Sequence, residues 1–396
     1  MKVLQQLIKR EFGLFWKNKV LVMDFLFMSV VLAAVVGFVY KKGKLTRQPI
    51  IVVDKDHSPA SARFIDILSE NQTLLVKETA FESVELAQLR LDKKAVAVVV
   101  IPYRFEENIL LGAKPEINCY FNQSNNLKGN QVRAAIQLCT NSMNVATQTN
   151  YLERKGIPYP VAIQQYEAVH HNVFKQFDRT GNYLLFLWPG LIMSVLEQLL
   201  LIGTAVGFSQ EFAGNHFNRN GLLGFTRSPY KLILVKIFPY LLMSLCILGI
   251  DYMLSRYFKI MPPAHPWTLL LVAILFVLSC CMLGTLLSIR SPLPLKATQT
   301  LMSIASPALT LCGFTWPSEH IPVVLRTIAD IIPLKPFLKA MRLIWIDGAS
   351  LDQVLPLIGH QFIQIVIYSL LSILLLRKKI KKADWPEEIQ PVLAAV

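Results

Sequence analysis

The chain has 396 residues, 53% hydrophobic and only 17% charged, which excludes an ordinary soluble domain, where about a quarter of residues are charged. Its net charge of +14 is no nucleic-acid signal. Much of it stands beside the ends of apolar runs, where Lys and Arg select the cytoplasmic side and meet anionic headgroups.

A hydrocarbon core roughly 30 Å thick asks for about 20 apolar residues per helix. Six runs meet that length: 20–40, 183–208, 232–254, 267–289, 297–316 and 357–376. Ahead of them, residues 1–19 set Leu4, Leu7, Ile8, Phe12 and Phe15 at helical spacing among Lys2, Lys9, Arg10, Lys17 and Lys19. That pattern predicts an amphipathic helix on the inner leaflet. A signal-peptide n-region is the rival reading. The following apolar run exceeds a signal-peptide core and ends in no clear small-x-small site, so an uncleaved first span is expected.

Residues 41–182 are mostly polar, and strand-like runs at 50–54, 74–78, 95–102 and 117–121 alternate with helical ones. The first helix opens on Ser58 as cap with Pro59 behind it, and 81–94, 131–151 and 160–178 read as further helices. A small α/β domain inserted after the first span is expected. Six spans with the basic run from Arg377 inside put both termini in the cytoplasm and this domain outside. Cys119 and Cys139 fall in this segment and are candidates to pair there.

Glu197 lies at the middle of the second run. A carboxylate at that depth gates a pathway, binds a cationic substrate or stabilises a helix contact. Asp24 and Asp251 stand near span ends, where headgroup contact accounts for both. Pro189 and Pro239 predict kinks, either between movable helix halves or beside a helix interface. Residues 209–231 form a polar, basic loop between the second and third runs. Residues 317–348 are apolar but interrupted by charges and prolines, so two short re-entrant helices are expected there.

No G-x-x-x-x-G-K-[ST], H-E-x-x-H or G-x-S-x-G motif occurs, so no nucleotide, metal or catalytic site is expected on this chain. Gly221–Ser228, GLLGFTRS, lacks the lysine of a phosphate loop.

Four stretches together resemble a known family. QPIIVVDKDHSPASARF carries Asp54, Asp56, Ser58 and Ser61 of a V-D-x-D-x-S start, and AVVVIPYRFEENILLG with INCYFNQSNN follows an I-P-x-x-F block. SPYKLILVKIFPYLL matches at Pro229, Lys236, Pro239 and Tyr240. After the fifth run, Gly313, Phe314, Pro317, Pro322 and Pro333 match an outer signature. The set is similar to the type-two export permeases of ATP-binding-cassette (ABC) transporters, in the subgroup with a large extracytoplasmic domain. The family's acid-rich loop is matched here only at Glu211 and Gly214.

The resemblance implies a polytopic α-helical membrane protein of the bacterial inner membrane, without an ATPase site of its own. A separate ABC ATPase subunit, holding ATP and Mg, would press on the loop through Glu211, Gly214, Arg219, Arg227 and Pro229. A second permease chain, identical or paralogous, would complete the path, with Glu197 as a candidate along it and the proline-rich hairpin capping the exit. The implied substrates are amphiphilic drugs, lipids or polymers, and a periplasmic adaptor is an implied partner. The competing reading is a membrane-anchored sensor with an extracytoplasmic ligand-binding domain.

Overall fold

A computed structural model describes residues 2–80, 95–161, 182–219 and 221–383. The helix expected at 81–94 and nearly all of that at 160–178 lie outside the described residues. The chain divides into two compact units, Met1–Gly43 with Lys175–Val396, and Lys44–Phe174.

Helix α1 (Lys2–Lys17) stops at Asn18, whose side chain accepts from the Leu21 N–H at 3.2 Å and so caps the next helix. Helix α2 (Lys19–Val39) runs on from there through a π turn at Met23–Met28, with Asp24 exposed. The face of α1 bearing Leu7 and Phe15 is buried on protein rather than lying wholly on a leaflet. Phe12 meets Phe238 edge-on at 6.1 Å, and Phe15 meets Tyr240 at 5.6 Å. Leu14 and Trp16 remain exposed.

The smaller unit contains β1 (Gln48–Asp54), α3 (Pro59–Glu70), β2 (Leu74–Ala80), β3 (Ala97–Ile101), α4 (Phe105–Leu110), β4 (Asn118–Phe121) and α5 (Asn126–Arg154). Its sheet order is β2-β1-β3-β4, with β1 parallel to both neighbours and β4 antiparallel to β3. β-Branched Ile50, Val52, Val99 and Ile101 are fully buried with Phe64 and Leu68 of α3 and Val132 and Ile136 of α5.

The expected Ser58 cap is present as a reciprocal box with Ser61. Asp54 Oδ1 accepts from the Asp56 and His57 N–H groups, and its Oδ2 accepts from Ser61 Oγ at 2.7 Å. Asp56 Oδ2 in turn accepts from the Glu106 N–H at 3.0 Å, capping α4 from a distant element. Partial burial disfavours its charge, but hydrogen bonds from Ser58 and the α4 backbone outweigh that and hold its carboxyl below the ordinary value of 3.8. The D-x-D-x-S motif is therefore structural chemistry at a loop. Cys119 and Cys139 are both free, the latter's Sγ lying 3.6 Å from the Ile67 carbonyl.

The larger unit continues with α6 (Tyr183–Ala213), α7 (Leu222–Phe225), α8 (Pro229–Tyr257), α9 (Pro266–Arg290), α10 (Pro294–Ala305), α11 (Ala308–Leu311), α12 (Val323–Ala329), α13 (Leu334–Trp345) and α14 (Leu351–Ala383). Among the described residues, five helices are long and apolar enough to cross a membrane: α2, α6, α8, α9 and α14. The run expected at 297–316 is instead two pieces, α10 and α11, interrupted at Ser306 and Pro307. Pro307 has no N–H to continue the ladder.

Small residues decide how closely these helices approach. A Cβ on Gly284 would lie 1.9 Å from Thr204 Oγ1, so α9 presses on α6 there. One turn on, Ser288 Oγ of α9 accepts from the Phe208 and Ser209 N–H groups of α6 and donates to the Ala205 carbonyl at 2.6 Å. Gly190 leaves the space that the Phe314 ring fills. The kink residue Pro189 thus stands beside a packed interface, next to Trp188, whose indole N–H donates to the Ala33 carbonyl at 2.9 Å.

Two short helices, α12 and α13, occupy the expected hairpin, and most of α13 is buried, with Phe337 stacked on Phe276 at 4.2 Å. Carbonyls left open after α12 are taken up by α14: Gln364 Nε2 donates to Asp330 at 2.8 Å, and the Tyr368 hydroxyl donates to Ile331.

Candidate functional site

Four charged side chains meet where α1, α6 and α8 converge. Lys236 Nζ lies 2.7 Å from Glu211 Oε1 and 2.9 Å from Glu11 Oε2. Arg10 closes the ring, with Nη1 2.7 Å from Glu11 Oε1 and Nη2 2.8 Å from Glu211 Oε1. Lys236, Glu11 and Glu211 are 6%, 7% and 4% exposed, and Arg10 is 26% exposed on the side toward solvent.

Two acids and two bases cancel, so the cluster tolerates burial while its charges stay balanced. A cleft of about 140 Å³ opens onto it, lined also by Gln210 and His216. The arrangement has no nucleophile–base pair and no metal-ligand grouping among the described residues. What it can do is mechanical. It ties the N-terminal helix, the end of α6 and the start of α8 together at one point.

The loop between α6 and α8 hangs from this cluster. Gly214 ends α6, and Pro229 takes the first position of α8. Leu222 and Leu223 of α7 are buried, while Phe225, Arg227 and Tyr230 face outward, as do Gly214 and Arg219. The loop glycines have a steric cause: a Cβ on Gly221 would lie 2.0 Å from the His216 carbonyl oxygen, and one on Gly224 2.3 Å from that of Arg219.

The basic end of α14 lies alongside. Arg377 Nη2 donates to the Tyr230 hydroxyl at 3.2 Å, and Lys379 Nζ sits 3.6 Å from the centre of the Phe212 ring. The N-terminal helix, the loop and the basic run thus share one end of the unit.

The expected site residues therefore separate. Glu211 and Pro229 are brought inside, whereas Gly214, Arg219 and Arg227 form the outer face of the loop. Glu11 was missed by sequence reasoning, although it falls with Leu4, Leu7 and Phe15 on the apolar stripe of α1, and an acid there demands a buried partner. Lys236, the cation inside the apolar start of α8, carries the reciprocal signal.

Glu197 is fully buried and lines neither the cleft nor the cavity at the hairpin end. Its carboxylate approaches the backbone of Leu334 at the start of α13, without closing a hydrogen bond among the described residues. Asp251 is 3% exposed with both oxygens unpartnered among the described residues, so the expected headgroup contact does not hold for it.

At the hairpin end, Gly313 takes the left-handed backbone (φ +77°) that turns the chain after α11. Phe314 is buried in the Gly190 notch. Pro317, Pro322 and Pro333 each stand immediately before a helical turn.

A family model described as ABC-2 family transporter protein matches residues 19–374. The chain is also similar to two curated proteins, each named probable multidrug ABC transporter permease YbhS, from Escherichia coli strain K12 and from E. coli O157:H7. Each is 25% identical over 169 residues, 41% of this chain and 43% of the relative. The matched part thus spans less than half the length of either relative.

Proposed function

Because this chain belongs to the ABC-2 family of transporter proteins, we propose that it is the permease subunit of an exporter, driven by a separate ATPase that docks on the loop between α6 and α8. The observation that carries this reading is the Arg10–Glu11–Glu211–Lys236 cluster. A push on the exposed loop reaches Glu211, and through it three helices at once. Bistable packing between helices converts such a push into a change of access.

The same end holds Arg10, the loop cations and the basic run of α14, which supports a cytoplasmic face there and both termini inside. The chain then crosses six times, with the broken α10–α11 segment supplying the remaining passage. Trp345, at the end of α13, donates from its indole to the Met261 carbonyl after α8, while Ser288 near the end of α9 binds the last turns of α6. The inserted α/β unit is then extracytoplasmic, in the bacterial inner membrane. A second permease chain, identical or paralogous, completes the path, and an adaptor is a further partner. The substrate is an amphiphile of drug or lipid type, or a polymer. The multidrug description of the relatives agrees with the first of these.

The test is co-purification with an ABC ATPase in mild detergent, with hydrolysis measured with and without the permease. Reversing the exposed Arg227 with Arg227→Glu and truncating Tyr230 with Tyr230→Ala are expected to abolish the response while the protein stays folded. No association, or a response indifferent to both variants, refutes the coupling role.

A further inference from the structure

At the end of the larger unit away from the loop, a cavity of about 710 Å³ opens between the first turn of α6, the turn after α11, α13 and the start of α14. That is within the range of sites for drug-sized or larger ligands. Its walls include Leu338, Leu343 and Leu357, so most of the interior is hydrocarbon-like. One strong cation lies inside. The Arg342 guanidinium sits 4.8 Å from the centre of the Phe186 ring and 5.2 Å from that of Phe314, two rings that stack on each other at 5.3 Å.

Ring faces hold a guanidinium in place but accept none of its five N–H donors as a carboxylate or phosphate does. Among the described residues no acid lies within ion-pair distance of Arg342, and Asp347 acts on it only from farther away. The rim adds exposed Lys339, one turn earlier on α13, opposite Glu319, whose carboxylate already accepts from Ser318 Oγ at 2.9 Å. An oriented, half-buried cation with open donors above an apolar well is complementary to one kind of molecule.

Tryptophans fix the level. Trp316 lines the cavity and is 57% exposed, Trp267 is 80% exposed at the start of α9, and Trp345 anchors to Met261. Such a group marks a bilayer–water interface, where lipid phosphates lie. We propose that this cavity binds an anionic amphiphile, with a phosphate or carboxylate head on Arg342 and Lys339 and an apolar body against Leu338, Leu343 and Leu357.

The proposal rests on the membrane reading but not on ATP coupling or direction, so binding measured without an ATPase separates its failure from failure of the exporter role. The experiment titrates the whole chain in detergent with brominated-chain phosphatidylglycerol or with brominated-chain diacylglycerol, which has the same apolar body and no phosphate. Quenching of Trp316 is isolated by subtracting a Trp316→Phe control. The anionic lipid is expected to quench at about tenfold lower concentration, the preference one charge-assisted contact supplies. Arg342→Gln should erase that preference, and the exposed Lys339→Glu, which leaves the packing of α13 untouched, should cut it about threefold or more.

Equal quenching by the two lipids, or a preference unchanged in Lys339→Glu, overturns the proposal. If Arg342 merely clamps the rings, Arg342→Gln lowers stability and leaves the lipid preference intact, which also overturns it. Inorganic phosphate at millimolar concentration is expected to leave lipid quenching unchanged. Full protection by phosphate alone would make this a bare anion site and refute the amphiphile.

Discussion

Replacing Lys236 with methionine removes the charge that bridges two buried carboxylates while keeping most of the side-chain volume. Each of its two ion contacts, at 2.7 and 2.9 Å, is worth roughly 6 kcal/mol of gross attraction at an effective dielectric near 20. Desolvation costs several kcal/mol per ion, so the intact cluster is near balance. The variant, however, leaves Glu11 and Glu211 facing only Arg10. Breaking a buried pair in this way costs about 3–5 kcal/mol. For a unit of this size, that is a fall of roughly 6–15 °C in melting temperature.

The assay is thermal unfolding of the purified protein followed by loss of monodispersity. It pairs Lys236→Met with the double variant Lys236→Met/Glu211→Gln, which restores neutrality around the Arg10–Glu11 contact. The double variant should regain at least half of the loss. If Lys236→Met melts within about 2 °C of the parent, or the double variant is no better than the single, the four residues do not act as one compensated unit. The reasoning from burial then fails.

Three further outcomes follow from the geometry. Gly221→Ala drives a Cβ onto the His216 carbonyl oxygen at 2.0 Å, so a strain of about 1–3 kcal/mol should open the loop. Limited proteolysis should then cut within 214–230 faster, with little change in global melting. Gly190→Ala pushes against the buried Phe314 ring and should cost about 1–3 kcal/mol, read as a lower melting temperature that Phe314→Leu partly relieves. In the α/β unit, the Asp56 carboxyl is depressed in the folded state. Its contribution is therefore complete above the ordinary value of 3.8 and is lost as pH falls below that, through the folded-state value. Amide exchange at 105–110, corrected for intrinsic rate, should rise below pH 3.8 in the parent, and Asp56→Asn should lack that pH-dependent step.

Much of the architecture was legible because its signals are local. Ser58 followed by Pro59 announces α3, the runs of Val and Ile announce β1 and β3, and the long apolar stretches announce α2, α6, α8, α9 and α14. The charges and prolines of 317–348 spoke against another long helix, and two short ones stand there. Pro307 was passed over because its neighbours are apolar enough to read as one span. The site was only half legible. Glu211 was reached through a loop pattern, but its partners come from residues 10, 11 and 236, and no local rule pairs those positions. Asp251 illustrates the same gap: its sequence position near a helix end suggested contact with headgroups, and neighbouring helices cover it instead.

The hydroxyl of Ser288 has a consequence for how force travels. By holding two amides and a carbonyl of α6 at once, it splints the last turns of that helix to α9 just above Glu211. On the proposed coupling role, a torque applied below this splint is resisted by α9 as well as by α6. It would then carry α9 and the Arg290 corner along, which puts the fulcrum of the proposed rocking motion higher in the bundle, toward the Gly190 notch.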